Sequence, residues 1–168
     1  MLTSDQKGAI AETAVFHEAA KLGIDVYRPI NDGTRCDFIL DIHGDLVRVQ
    51  CKWATRKGNV IAVRCYSSRR SADGFVRRAY TEAEIDALVA YCPELERCYF
   101  LPLREFTAQL QIQLRMGPTK NGQQLGVHWA EEYELAAKLG RPGAVAQLGE
   151  RAAGSREVRG SIPLGSIR

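Results

Sequence analysis

Residues 36–53 read Cys-Asp-Phe-Ile-Leu-Asp-Ile-His-Gly-Asp-Leu-Val-Arg-Val-Gln-Cys-Lys-Trp, and their two-residue periodicity decides the fold. Cys36, Phe38, Leu40 and Ile42 share one face of an extended run, with Asp37, Ile39 and Asp41 on the other. His43-Gly44-Asp45 interrupts that run as a tight turn, so residues 46–53 should return antiparallel beside it. There the alternation is clean: Val47, Val49, Cys51 and Trp53 point one way, and Arg48, Gln50 and Lys52 the other.

Upstream, Thr3 with Gln6 makes a capping-box start and Gly23 a stop, which predicts a helix over residues 4–22. Glu12 is the awkward residue in it. Its neighbours one turn away are Gly8, Ala9, Val15 and Phe16, so a carboxylate sits on a close-packed stripe and needs a partner. Residues 24–30 read as a first strand and Asn31-Asp32-Gly33-Thr34 as a loop. Downstream, residues 59–66 read as a strand and 67–74 as a polar loop. Thr81 with Glu84 predicts a capped helix through Tyr91, which Pro93 separates from a strand over 97–103. Leu110, Ile112 and Leu114 alternate with Gln111, Gln113 and Arg115 as in an edge strand, and residues 130–139 predict a short helix ended by Gly140-Arg141-Pro142-Gly143. The expected order is α-β-β-β-β-α-β, an α/β fold with a mixed β-sheet flanked by helices.

The whole chain of 168 residues, 45% hydrophobic and 26% charged, has the composition of one soluble domain. No apolar stretch approaches the roughly 20 residues of a membrane helix, and the first residues lack a basic region followed by an apolar one, so the expected location is cytoplasmic with no membrane partner. The five cysteines contain no C-x-x-C pair, which argues against a disulfide framework and a zinc knuckle. The net charge of +3 conceals its distribution. Residues 141–168 carry five basic and two acidic residues, and residues 1–140 balance at 18 against 18. Within that neutral part, residues 48–78 hold nine basic residues against Asp73 alone, and the sign reverses over 79–105. Such a stripe is the charge footprint of a phosphate-binding surface, or equally of a solvated basic hairpin.

The hairpin register lets Asp37 meet Gln50 and Lys52 at one end of the sheet. If the first helix packs across the face that carries Gln50 and Lys52, Glu12 arrives beside them. Two carboxylates, an amide oxygen and an ammonium then line one pocket. Hard oxygen donors of this kind suit Mg²⁺, which takes few protein ligands and fills its other positions with water and phosphate oxygens. Such a metal lowers the pKa of a bound water and offsets charge on a leaving oxygen, while Lys52 orients or deprotonates the water or stabilises the phosphorane.

Glu12 on a first helix, Cys36-Asp37 at a strand start and Gln50-Cys51-Lys52 on the next strand resemble the nuclease core of the PD-(D/E)XK superfamily. The stretches from Gly8 to Glu12 and through Lys52-Trp53-Ala54 are similar in particular to its homing branch associated with group I introns, and more distantly to archaeal Holliday-junction resolvases. Tyr80-Thr81-Glu82-Ala83-Glu84-Ile85-Asp86 and Cys98-Tyr99-Phe100-Leu101-Pro102 also look like the homing branch, so the likeness spans about residues 5–116. The resemblance implies a restriction-endonuclease-like core and a Mg²⁺-dependent endodeoxyribonuclease of a mobile element, with Mn²⁺ as a possible substitute. It implies Glu12, Asp37, Gln50 and Lys52 as catalytic residues, and Asp37, Glu12 and the carbonyl of Cys51 as metal ligands. Two positions depart from the family pattern: Cys36 stands where the family has Pro, and Gln50 where it has a second acid. A glutamine carbonyl can bind Mg²⁺ but brings no charge, which weakens the site or reduces it to one metal. The alternatives are a structure-selective, resolvase-like nuclease and a catalytically weak DNA-binding module with the same fold.

The expected partner is double-stranded DNA. Arg64, Tyr66, Ser68, Arg69 and Arg70 are candidates for the groove, Arg56, Lys57, Arg77 and Arg78 for phosphates, and Arg35 is a further DNA-binding candidate. One chain carries one site, so cutting both strands implies a homo-oligomer, a dimer or a tetramer. The nuclease domain is read as residues 1–140. The basic tail, 141–168, lacks aromatic residues and sustained periodicity and is expected to be disordered. It resembles a translated tRNA gene: Val145-Ala146-Gln147-Leu148 fits a D-arm and Gly160-Ser161-Ile162-Pro163 a T-arm.

Overall fold

A computed structural model describes residues 1–140 apart from positions 32, 73, 108, 120 and 121; the side chains of Arg69 and Arg70 and the tail, 141–168, with the expectation that it is disordered, lie outside the described residues. In chain order the elements are α1 (Ser4–Lys21), β1 (Asp25–Tyr27), β2 (Phe38–Ile42), β3 (Asp45–Trp53), β4 (Thr55–Lys57), β5 (Val60–Arg64), β6 (Tyr66–Ser71) and β7 (Gly74–Ala79). They continue with β8 (Ala87–Cys92), β9 (Arg97–Pro102), a 3-10 turn (Leu103–Phe106), β10 (Gln111–Arg115), β11 (His128–Trp129), α2 (Ala130–Tyr133) and α3 (Leu135–Leu139).

The local signals at the start of the chain act as their chemistry dictates. Gln6 N–H donates to Thr3 Oγ1 at 3.2 Å while Thr3 N–H donates to Gln6 Oε1 at 2.9 Å, which satisfies two of the helix's orphan donors. At the other end Gly23 takes φ +69°, and Gly23 and Ile24 N–H close back on Ala20 and Ala19 at 3.1 and 3.0 Å. That is a Schellman closure, and it places Ile24 in the core beside Ala19. The β2–β3 turn is equally local. His43 and Gly44 both have positive φ, and Gly44 N–H donates to Asp41 Oδ1 at 2.9 Å, which pins Ile42 opposite Asp45 and Phe38 opposite Val49.

The central sheet runs β1-β2-β3-β8-β9, antiparallel except for the parallel pair β3–β8, in which Gln50 lies beside Leu88 and Lys52 beside Ala90. One of its faces presents Phe38, Leu40, Val47, Val49, Cys51, Val89 and Phe100 to Val15 and Ala19 of α1 and to Leu135 and Leu139 of α3. The opposite face presents Leu88, Ala90, Tyr99 and Leu101 to Ile61, Val63, Ile112 and Leu114 of a second sheet, ordered β11-β10-β5-β4. Each large side chain so buried contributes about 1.5–3 kcal/mol relative to exposure. Hairpin β6–β7 forms a separate two-stranded ribbon.

Several expectations are corrected. No helix runs from Thr81 to Tyr91: Thr81 N–H and Oγ1 donate to Glu84 Oε2 at 3.2 Å, but only one turn forms before strand β8 begins. β8 is a continuous apolar run because it lies between β3 and β9 and is covered on both faces, and such a run has no period to distinguish strand from helix. The polar loop over 67–74 is hairpin β6–β7, whose β7 strand is exposed at every position, so no face has an apolar alternation to read. The first strand stops at Tyr27, before Pro29, which lacks the N–H a ladder needs. The strand over 59–66 ends at Arg64, and β4 precedes it as an unforeseen partner. β10 has the expected alternation but is not an edge, since β11 pairs parallel beside it. The helix over 130–139 breaks at Glu134, which bridges to Tyr99, leaving two short helices.

Candidate active site

The site forms where β2 begins and β3 ends. Asp37 N–H donates to Val49 carbonyl at 2.8 Å, which continues the β2–β3 ladder one residue and holds the aspartate at its margin. Its Oδ2 accepts the Cys51 backbone N–H at 2.8 Å and the side-chain amide N–H of Gln50. Both bonds land on one oxygen. A carboxylate only accepts, so Gln50 must turn its amide nitrogen towards Asp37 and its oxygen elsewhere. As held here, Gln50 orients and stabilises Asp37.

Strand parity sends Gln50 and Lys52 to the face that meets the second sheet, alongside Leu88 and Ala90. α1 packs on the other face, against Val49 and Cys51. The expectation that the helix crosses the Gln50 and Lys52 face is therefore wrong. Glu12 still reaches the site, and it does so from the opposite side of the sheet: its carboxyl feels the charge of Asp37 and pairs with Arg28 at 3.2 Å. The Cys51 thiol lies on the α1 side and is buried, with its pKa pushed well up by that burial, so only its backbone is available to the site.

Electrostatics follow from this packing. Burial pushes the Glu12 carboxyl up, Asp37 adds to that, and Arg28 opposes it. Burial likewise raises Asp37 against the Cys51 N–H, the Lys52 charge and the Gln50 amide. Lys52 is lowered, by burial first and by the nearby Arg35 charge, with Asp37 pulling the other way. Its ammonium donates to Tyr80 Oη at 2.6 Å, and burial holds the Tyr80 hydroxyl up at about 12, so the phenol stays neutral.

Among the described residues no group of three or more His, Cys, Asp or Glu side chains is arranged to hold a metal ion. The donors present are two carboxylates, Glu12 and Asp37, with no Oδ1 partner on Asp37 among the described residues. That hard, sparse set fits Mg²⁺ or Mn²⁺, which retain water and take substrate oxygens. Asp37 also lines a recess of about 90 Å³ with Arg28, Asn31, Thr34 and Cys36. A groove of about 650 Å³ lies elsewhere, between Arg97, Arg115, Trp129 and Glu134, and shares no residue with the site.

The basic residues divide into two groups. Arg56, Lys57, Arg64 and Arg77 are exposed, and on the hairpin Tyr66 and Arg77 share a face, the guanidinium 5.1 Å above the ring. Ser68 sits directly across from Arg77. Arg56 Nε donates to the Gly58 carbonyl at 3.0 Å, whereas Arg35 and the exposed Arg78 make ion pairs within the protein. Arg35 reaches Glu84 at 3.1 Å, Ser67 Oγ at 2.6 Å and Ala79 carbonyl at 2.9 Å, and Arg78 reaches Glu84 at 2.5 Å. Arg48 of the basic stripe is tied to Asp86 and to the Glu82 and Ala83 carbonyls, clamping the start of β8 to β3. Three site neighbours were not foreseen: Arg28, Tyr80 and Glu84. Only the need of Glu12 for a partner hinted at the first, and no spacing links Tyr80 to Lys52.

The sequence profile of PD-(D/E)XK endonucleases matches residues 2–136. Among solved structures, the chain is similar to a bacterial homing endonuclease, I-Ssp6803I, at 25% sequence identity and a TM-score of 0.67, over 94% of this chain and 100% of that one. No curated protein matches the sequence.

Proposed function

The chain belongs to the PD-(D/E)XK endonuclease family, and from that premise we propose that it is a divalent-metal-dependent, homing-type endonuclease that hydrolyses phosphodiester bonds of duplex DNA. The observation that carries the reading is the cluster at the β2–β3 margin: Asp37 fixed by Gln50 and Cys51, with Glu12 and Lys52 converging on it from opposite faces of the sheet. The similarity to I-Ssp6803I supports the homing assignment.

In this reading Asp37 and Glu12 hold the metal, with the Cys51 carbonyl as a further oxygen. When bound, Mg²⁺ supplies an acidified water and offsets charge at the leaving oxygen. Gln50 and the Cys51 N–H keep Asp37 in one orientation. Lys52, partly desolvated, orients the attacking water or stabilises charge on the phosphorane. The exposed Arg56, Lys57 and Arg77 meet phosphates, and Arg64, Tyr66, Ser68, Arg69 and Arg70 meet the groove, while Arg35 and Arg78 support the β6–β7 hairpin. Double-strand cleavage then requires a homo-oligomer. Residues 1–140 are the nuclease domain, and deleting residues 144–168 should leave cooperative melting and cleavage intact.

The test is incubation with long duplex DNA and with four-way junctions, each with Mg²⁺ or chelator. Discrete duplex fragments that need Mg²⁺ support the proposal. Cutting confined to junctions favours a resolvase-like enzyme, and binding without cleavage a catalytically weak module. Asp37→Ala and Lys52→Ala should each slow single-turnover cleavage by about 10²–10³-fold or more; if both cut as fast as the parent, the site lies elsewhere.

A further inference from the structure

We propose that Tyr80 is a positioning residue for the reaction: its hydroxyl holds the Lys52 ammonium away from Asp37, and its ring ties that ammonium to the base of the β6–β7 hairpin. The proposal rests on the catalytic role of Lys52 given above. A lysine side chain has four rotatable bonds, so burial alone does not fix where its charge sits. Among the described residues the ammonium makes one hydrogen bond, to Tyr80 Oη at 2.6 Å. Asp37 attracts it, yet no salt bridge joins the two among the described residues. Without the hydroxyl, the ammonium's nearest compensation is Asp37 itself. Collapse onto that carboxylate would place a cation where the reading puts the metal.

Two cations meet one ring. Lys52 Nζ lies 4.7 Å from the Tyr80 centroid and is the one that also bonds the hydroxyl. Arg35 also lies over the ring, its guanidinium carbon 4.2 Å from the centroid. Arg35 is in turn fixed by Glu84, Ser67 and the Ala79 carbonyl. Ala79 ends β7 and Tyr80 follows it, so the residue that bonds Lys52 is joined directly to the base of the hairpin. Tyr80 is buried, and burial keeps its hydroxyl protonated and neutral, able to accept from the ammonium. The arm proposed to meet DNA and the lysine proposed to act on it are thus joined through one phenol.

Tyr80→Phe keeps the ring, its burial and the Arg35 stack, and removes only the oxygen. Single-turnover cleavage of duplex DNA should fall about 10- to 100-fold, with DNA affinity within about twofold of the parent, since the hydroxyl faces Lys52 and not solvent. A purely structural role would move affinity and melting together and leave no such split. The second readout needs no activity: in a Lys52→Met background, Tyr80→Phe should leave the melting temperature unchanged, whereas in the parent it should lower it, the two changes being non-additive. If Lys52→Met cleaves like the parent, the site reading fails and takes this proposal with it. If Lys52→Met is inactive while Tyr80→Phe cuts like the parent, only this proposal is overturned. Should Tyr80→Phe melt too low to assay, Arg35→Lys, which uncovers the ring and leaves both hydrogen-bonding groups in place, is read in its stead at enzyme concentrations that saturate the DNA, so that a loss of affinity through the hairpin does not enter: a reduced rate supports the proposal, and a parental rate overturns it.

Discussion

Strand β8 and strand β7 are each six residues long and stand eight positions apart in the sequence, yet opposite forces hold them. β8 is buried at five positions and partly buried at the sixth, between β3 and β9 and between two apolar cores. β7 is exposed at all six, with Phe75 at 74% and Val76 at 57%. An isolated two-stranded ribbon is marginal in water, so the hairpin's place depends on the cluster at its base, where Arg35 and Arg78 meet Glu84 and Ser67. The sheet is held by burial, which acts at every residue and resists small shifts. The hairpin is held by a few polar contacts, which allow its tip to adjust. The function proposed above would use both: close placement of groups around Asp37, and a hairpin able to settle onto an irregular groove.

The comparison can be broken at either end. Leu88→Ala, at a fully buried position of β8, should cost about 2–5 kcal/mol in denaturant melts; a loss below about 1 kcal/mol would mean the central strand is not the rigid element described. Arg35→Ala should cost about 1–2 kcal/mol, and locally. Hydrogen exchange over residues 66–79 should rise while β8 amides stay protected, and equal loosening of the two would erase the distinction.

Acid sharpens it further. Burial acts to raise the Glu84 carboxyl, but the hydrogen bonds from Arg35 and Thr81 outweigh it and hold the group below its ordinary range. A depressed folded-state pKa gives stability that is present above the ordinary carboxylate range and lost as pH falls through the folded value. Hairpin amides should therefore lose protection on acidification before those of β8, as read by exchange along a pH series from neutral to about 3. The smallest effect is expected from Arg77→Ala: melting unchanged within about 0.5 kcal/mol, and a salt dependence of DNA binding reduced by about one phosphate contact.

The parts legible in the sequence were those whose chemistry is local. The Thr3–Gln6 cap, the Gly23 stop and the His43-Gly44 turn each act within a few residues, so α1 and the β2–β3 hairpin could be drawn from them. The same turn fixes the register that brings Asp37 to Gln50 and Cys51. Parity told which residues share a face but not what covers that face, which is why Gln50 and Lys52 were assigned to the wrong side of the sheet with respect to α1. β8 carries no period because both its faces are buried, and β7 none because neither is. Tyr80 and Arg28 belong to contacts closed over 28 and 16 positions, a separation that leaves no trace in spacing.

Glu12, Asp37, Gln50, Lys52 and Tyr80 all precede β8 in the chain, while the parallel pairing of β3 with β8 walls the seam into which Lys52 points. Parallel pairing across so long an intervening stretch is slow to form, because the loop must close before its contacts compensate. A chain still being synthesised, or cut short before β8, thus carries every group of the proposed site and lacks the strand that pairs with β3. On the proposed reading, a chain truncated before Ala87 should bind no metal productively and leave duplex DNA uncut.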